Sequence, residues 1–393
     1  MVAQGKGAAW LKLDLLSHGI QIGESAREVL REIRGIAKRK NFYNSPVWEP
    51  GGTLLPQELV VLGCIVGVNA YGSSPWLLER ASSRPELVLK HNTGETFDAH
   101  LLNDLQVFNN SSRAARVANL YGGAALAFFS PRACYFFADG TACAFCSLAG
   151  TAEESSEFQG LLTADDVRFV VRAALESDRE RIEQIMVVGG NMRDLDRGFE
   201  HHMELANAAI SELRACGAEN KTSVHVATMP PRNLELLNLA SDFDNLHIMF
   251  NLEVWDAALF HSICPGKHKD YGREGILIAL DRLSRIMAPY RVHSLLVTGL
   301  EPADSTIAGA TALANMGVSP ILNVYHSDRF SRLGLSIRPS FSYLATVAEG
   351  LQDLYARFPI QPYWRTCGRN AIDAEAQCGL FREPVPHFLF GGA

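Results

Sequence analysis

The stretch "CYFFADGTACAFC", residues 134–146, places three of the chain's eight cysteines within thirteen residues. The spacing is Cys-x8-Cys-x2-Cys, formed by Cys134, Cys143 and Cys146, and it leaves open what would complete a four-coordinate set. Three thiolates can hold three irons of a cubic iron–sulfur cluster, one thiolate per iron, leaving the fourth iron open. Cys-x2-Cys also occurs in zinc sites, usually with a second ligand pair at short spacing. The later pair here, Cys367 and Cys378, has ten residues between its members. A third reading is coincidence among buried thiols, the class in which Cys64, Cys216 and Cys264 are placed.

The motif sits at the head of a repeating rhythm. "AALAFFSPRACYFF" reads as a strand that runs into Cys134. "IEQIMVVGG" (182–190), "TSVHVATM" (222–229), "LHIMFNLEV" (246–254), "RVHSLLVTGL" (291–300) and "SPILNVYH" (319–326) follow. Each is a short apolar run ended by a turn former or polar residue, as suits strands buried on both faces of a parallel sheet. Helical spacing fills the gaps. Thr163 with Asp166 forms a capping-box variant before "VRFVVRAALES", Pro231 suits a first helical turn, and Gly317 ends "ADSTIAGATALANMG". Six βα units predict an α/β fold, a partial (β/α)6 TIM-like barrel with its chemistry at the C-terminal strand ends. Residues 1–125 lack the rhythm and read as an N-terminal α+β cap. Residues 126–330 form the barrel, and 331–393 a C-terminal extension of one helix and a tail.

Composition limits the function classes. Net charge is −7, and no block of five or more Lys and Arg occurs; "REIRGIAKRK" (31–40) reads as a helix end. Nucleic acid is therefore not expected as a partner. The longest apolar run, "LVVLGCIVGVNAYG" (59–72), is too short and glycine-rich to span a bilayer, and no signal-peptide layout appears, so a cytoplasmic protein with reduced thiols is expected.

Further candidates lie at strand ends. Gly189 and Gly190 allow close backbone approach, or form a plain tight turn. Asn251 and Glu253 are two apart and share the interior face of the fourth strand. A carboxylate buried there needs a hydrogen-bonding partner. Lys267 and Arg273 follow, as partners for a carboxylate or as solvated charges. Gly299 and Glu301, in "VTGLEP", shape a floor for a flat ring or a simple turn.

Together these segments resemble the radical SAM superfamily, and within it the biotin synthase-like branch, over about residues 126–330. The resemblance implies a 4Fe–4S cluster held by Cys134, Cys143 and Cys146, with S-adenosylmethionine as the ligand of the open iron. It implies that Gly189-Gly190-Asn191 holds the methionine amino group, with Asn191 where relatives carry glutamate. Asn251-Leu252-Glu253 resembles the segment that meets the ribose, Lys267 falls where relatives carry a base, and Gly299 and Glu301 resemble the element near adenine. Phe145 fits the aromatic that commonly precedes the last cysteine. The eight-residue first gap departs from the commoner Cys-x3-Cys-x2-Cys. The implied activity is reductive cleavage of S-adenosylmethionine, fed by an electron donor such as flavodoxin or ferredoxin, and hydrogen abstraction from a small-molecule substrate in a biosynthetic pathway, with a peptide left open. His225, His326 and Tyr325, with Asn323, are candidate substrate contacts, each weighed against a satisfied core residue. The competing classes are a zinc-dependent barrel hydrolase and a non-catalytic iron–sulfur protein.

Overall fold

The computed structural model describes residues 7–33, 55–83, 86–154, 160–334, 338–364 and 368–390. Most of "REIRGIAKRK", and Cys367, lie outside the described residues. Two sheets organise the described chain. The first contains β1 (Gln21–Ile22), β2 (Glu58–Val61), β3 (Cys64–Gly67), β4 (Trp76–Arg80), β5 (Leu87–His91) and β6 (Thr96–Leu101), in the order β1-β4-β5-β6-β2-β3. All its pairings are antiparallel except β1 with β4.

The second sheet contains β7 (Ala118–Tyr121), β8 (Ala125–Phe129), β9 (Gln184–Val188), β10 (Ser223–Thr228), β11 (Leu246–Phe250), β12 (Val292–Thr298) and β13 (Ser319–Val324), ordered β13-β12-β11-β10-β9-β8-β7. Strands β8 to β13 run parallel, so the six expected βα units are present as a partial barrel. An antiparallel β7 adds a seventh strand, which places the start of the barrel sheet before residue 126. Strands β8, β9 and β11 are buried at every position, because helices cover one face and the barrel interior the other.

Helix signals hold where a cap fixes them. Thr163 Oγ1 accepts from the N–H of Asp166 and the Asp166 carboxylate accepts in return, starting helix Ala164–Asp178. Pro231 begins no α-helix: the segment after it is a 3-10 helix, Leu234–Ala240, capped by Asn233. Apolar patterning marks a helical stretch but does not separate the two hydrogen-bonding periods.

The N-terminal residues do not stand apart from the rest. Helix Ala8–His18 packs on helix Phe341–Arg357, with the Trp10 ring 6.2 Å from Phe341 and 5.3 Å from Phe381. Lys12 forms a buried ion pair with Glu375 at 2.7 Å. At the open edge of the barrel, residues 370–372 pair with β13: Val324 N–H donates to Asn370 O at 2.9 Å, and Asn323 bridges Ala371. Gly67 N–H of β3 donates to Arg369 O at 3.1 Å. The C-terminal extension thus stitches the edge strand β13 to the first sheet, covering donors and acceptors that a bare edge would expose. No described helix is long and apolar enough to cross a membrane.

Candidate active site

Strand β8 ends at Phe129, and a Ser130-Pro131 turn separates it from Cys134. Cys134 is therefore not at a strand end, as the apolar run suggests, but caps the short helix Tyr135–Ala138 in the loop beyond. That loop lies directly on β9. A Cβ on Gly189 would fall 2.5 Å from the Ser130 carbonyl, and one on Gly190 would fall 2.2 Å from Ala133 O and 2.9 Å from Cys134 Cβ. Only glycine lets the two backbones meet so closely. Gly190 N–H then donates to Pro131 O at 2.7 Å, and Tyr135 N–H to Asn191 O at 3.0 Å.

The other two thiols ride on the same loop. Cys146 N–H donates to Cys143 O at 3.1 Å, and Ala144 N–H donates to Ile263 O at 2.8 Å, docking the loop on the segment before helix Pro265–Asp270. Burial pushes the Cys134 thiol up, against N–H groups of Phe136 and Asn191 that favour the thiolate. Burial and the neighbouring Cys143 raise the Cys146 thiol too. Cys143 is lowered, first by the Cys264 thiol beside it and then, against burial, by the Lys267 ammonium.

Cys134, Cys143 and Cys146 line one cavity of about 250 Å³, together with Phe145, Gly189, Gly190, Asn191, Asn251, Glu253 and Lys267. Glu253 has a left-handed backbone, φ 71°, held by its N–H to Leu295 O at 2.8 Å and by Val297 N–H to its carbonyl at 2.7 Å. For a residue with a Cβ this conformation costs on the order of 1–3 kcal/mol, and such strain gathers at functional sites. Its buried carboxylate meets Lys267 Nζ at 2.7 Å, and the same ammonium donates to Asn251 O at 2.8 Å. Burial disfavours the Lys267 charge, but Glu253 and the two nearby thiols outweigh it and hold the ammonium well above the ordinary lysine value.

No family model matches the sequence. A bacteriochlorophyllide c C-7(1)-hydroxylase of Chlorobaculum limnaeum is 25% identical over 233 residues, 58% of this chain and 56% of its own length. The chain thus spans about half the length of that curated relative. Among solved structures, a radical SAM methyltransferase from Sphaerobacter thermophilus is 15% identical, with 77% of this chain and 82% of that chain covered and a TM-score of 0.43. An FeFe-hydrogenase maturase from Carboxydothermus hydrogenoformans is 15% identical, covering 65% and 57%, at a TM-score of 0.46. The biotin synthase-like branch is not decided by these similarities.

Two expected positions fall elsewhere. Gly299 and Glu301 do not line the cavity. The Glu301 carboxylate accepts from the N–H groups of Trp255 and Asp256, at 3.1 and 2.9 Å, and from Ser305 Oγ at 2.8 Å, so it ties down the start of helix Ala257–Ile263. Gly299 N–H donates to Tyr343 OH at 3.1 Å. His225 is also displaced from its expected strand end: it is the third residue of β10, beneath the cavity. Its ring stacks on His247 at 4.3 Å, and His247 Nδ1 lies 3.0 Å from His293 Nε2. This imidazole layer, with Tyr363 edge-on to His225 at 4.5 Å, forms part of the packed barrel floor. Arg273 donates to Trp255 O at 2.8 Å and stacks on its ring, away from the cavity.

Tyr325, His326 and Asn323 do reach the cavity wall. Burial and the adjacent Arg369 push the His326 imidazole down to about 4, which keeps it neutral near pH 7. Tyr121, Trp364, Arg369 and Asn370 complete that wall and carry no signal in the sequence. Tyr121 stacks on Trp364 at 4.6 Å, and Arg369 lies over Tyr121 while bonding Glu58 at 3.0 Å. Cys264 is buried, as the sequence reading has it, and also packs against Cys143; Cys216, placed in the same class, is only partly buried.

The donor set fits a 4Fe–4S cluster. Three thiols share one cavity wall, Asn191 Nδ2 points a donor at Cys134 Sγ, and apolar side chains surround them. Among the described residues, no three His, Cys, Asp or Glu side chains gather closely enough to hold a single metal ion, as a zinc hydrolase would need.

Proposed function

We propose that this chain is a radical SAM enzyme acting on a small molecule. The observation that carries the reading is the convergence of Cys134, Cys143 and Cys146 with Gly189-Gly190-Asn191, Asn251, Glu253 and Lys267 on one cavity at the barrel mouth. A 4Fe–4S cluster bound here would supply one electron for the reductive cleavage of S-adenosylmethionine. The protein's part is to hold, orient and exclude water. Cys134, Cys143 and Cys146 would hold three irons. The Gly189-Gly190 backbone presses the cluster loop against β9. Glu253, oriented by Lys267, offers a carboxylate to a ribose diol; Asn251 Oδ1 is itself turned toward Leu295 N–H, at 3.4 Å.

The substrate would occupy the wall beyond these residues, beside Tyr121, Trp364, Tyr325, His326, Arg369 and Asn370. A stacked aromatic pair with a guanidinium over one of its rings suits a flat, largely apolar ring bearing a polar or acidic group. The similarity to a hydroxylase named for a bacteriochlorophyllide supports oxidation of a large ring system as the narrower reading.

Anaerobic reconstitution with iron and sulfide, reduction, and an assay for 5′-deoxyadenosine test the proposal. The intact chain is expected to bind about four iron atoms and to release 5′-deoxyadenosine. Release that persists in Cys143→Ala and Cys146→Ala proteins would refute it.

A further inference from the structure

Asn191 follows the glycine pair at the end of β9, half-buried beside the cluster loop. Its Nδ2 lies 3.6 Å from Cys134 Sγ. Sulfur's large radius lengthens an N–H···S bond relative to the oxygen case, so this is bonding range. The amide orientation follows from chemistry: a thiolate accepts and does not donate, so nitrogen rather than oxygen must face it. The position is not free to drift either. Tyr135 N–H holds Asn191 O at 3.0 Å, and Gly190 N–H holds Pro131 O at 2.7 Å, so strand end and cluster loop move as one piece.

We propose that Asn191 tunes the cluster by donating its amide hydrogen to the Cys134 thiolate. This rests on the cluster reading above. Hydrogen bonds to ligating sulfurs withdraw charge from them and stabilise the reduced, more negative cluster. A carboxylate at residue 191 would do the opposite, placing a negative charge beside a cluster about to gain an electron. Of the cavity-lining residues Glu253 alone is acidic, and it is bonded to Lys267. The amide at 191 therefore biases the cluster toward accepting the electron from its donor, an iron–sulfur or flavin carrier, with no bond made or broken by Asn191 itself.

The test compares intact protein with Asn191→Leu and Asn191→Glu, each reconstituted anaerobically and titrated spectroelectrochemically with dithionite as reductant. At equal iron content, both variants are expected at more negative midpoint potentials, Asn191→Glu the lower of the two. Pulsed EPR of the reduced intact protein labelled with asparagine carrying 15N at the side-chain Nδ2 alone is expected to show a coupled amide nitrogen that Asn191→Leu loses. Coincident potentials, or no coupled asparagine nitrogen, overturn the proposal even if 5′-deoxyadenosine is still released. Should a variant fail to take up iron, the labelled intact protein alone decides. Failure of the intact protein to take up iron sinks the proposed function first, and this inference with it.

Discussion

Removing the Lys267 ammonium while leaving Glu253 in place tests the energetics of the site directly. Both side chains are under a tenth exposed and lie 2.7 Å apart, and the ammonium also holds Asn251 O. In Lys267→Met the carboxylate stays buried beside the cysteine thiols with no counter-charge. Breaking one side of a buried pair costs about 3–5 kcal/mol. At about 2.1 cal/mol/K per residue, unfolding 393 residues as one unit carries about 0.8 kcal/mol/K. The expected loss in Tm is therefore about 4 to 6 °C. The double variant Lys267→Met with Glu253→Gln removes the stranded charge and should recover most of the loss. Differential scanning calorimetry of the four corners of this cycle, without added iron, isolates folding from cofactor binding. A Lys267→Met protein as stable as the parent, or a double variant whose loss equals the sum of the singles, refutes the reasoning, because either shows that the two charges are not coupled inside the barrel.

Three other expectations follow from the same geometry. Gly190→Ala should lower Tm by an amount corresponding to about 1–3 kcal/mol of overpacking and reduce iron uptake, since its Cβ would meet Ala133 O at 2.2 Å; calorimetry and iron assay check both. Alanine at Cys134, Cys143 or Cys146 should each abolish the brown absorbance of the reconstituted protein, whereas Cys216→Ala should keep it. Asp373 is buried against Leu322 N–H, Tyr355 OH and the Glu375–Lys12 pair, and burial pushes its carboxyl up to about 8. The folded value lies above the unfolded one, so its stabilising contribution is full below the ordinary carboxylate range and is lost as pH rises through about 8. Asp373→Asn should flatten the decline in Tm over that window, and an unchanged decline measured by thermal melts would rule this carboxyl out as its source.

Much of the site was readable from residue order. Alternating apolar runs and helical segments announced the βα units; Asn251 and Glu253 both line the cavity, but they follow β11 and Glu253 has a left-handed backbone, so the two-residue strand period does not place them. The cysteine spacing placed three thiols on one short loop, and all three line the cavity. What failed were statements that depend on where a strand stops. Cys134 and Glu301 follow apolar runs, yet a Ser130-Pro131 turn moves the first into a loop, and backbone donors from Trp255 and Asp256 turn the second away from the cavity. His225 carried the polarity of a site residue, but pairing register with His247 places it in the floor.

The chain's order of amino acids settled its local grammar: which runs bury both faces, and which thiols lie close together along the chain. Only the tertiary structure decided which distant segments share a wall. Tyr121, Arg369 and Trp364 meet the cysteines' cavity because residues 370–372 pair with β13 and Arg369 O accepts from β3, and Cys264 meets Cys143 because Ala144 donates to Ile263. Periodicity encodes the faces of single elements, whereas contacts between elements hundreds of residues apart arise from burying those faces together, which no local pattern records.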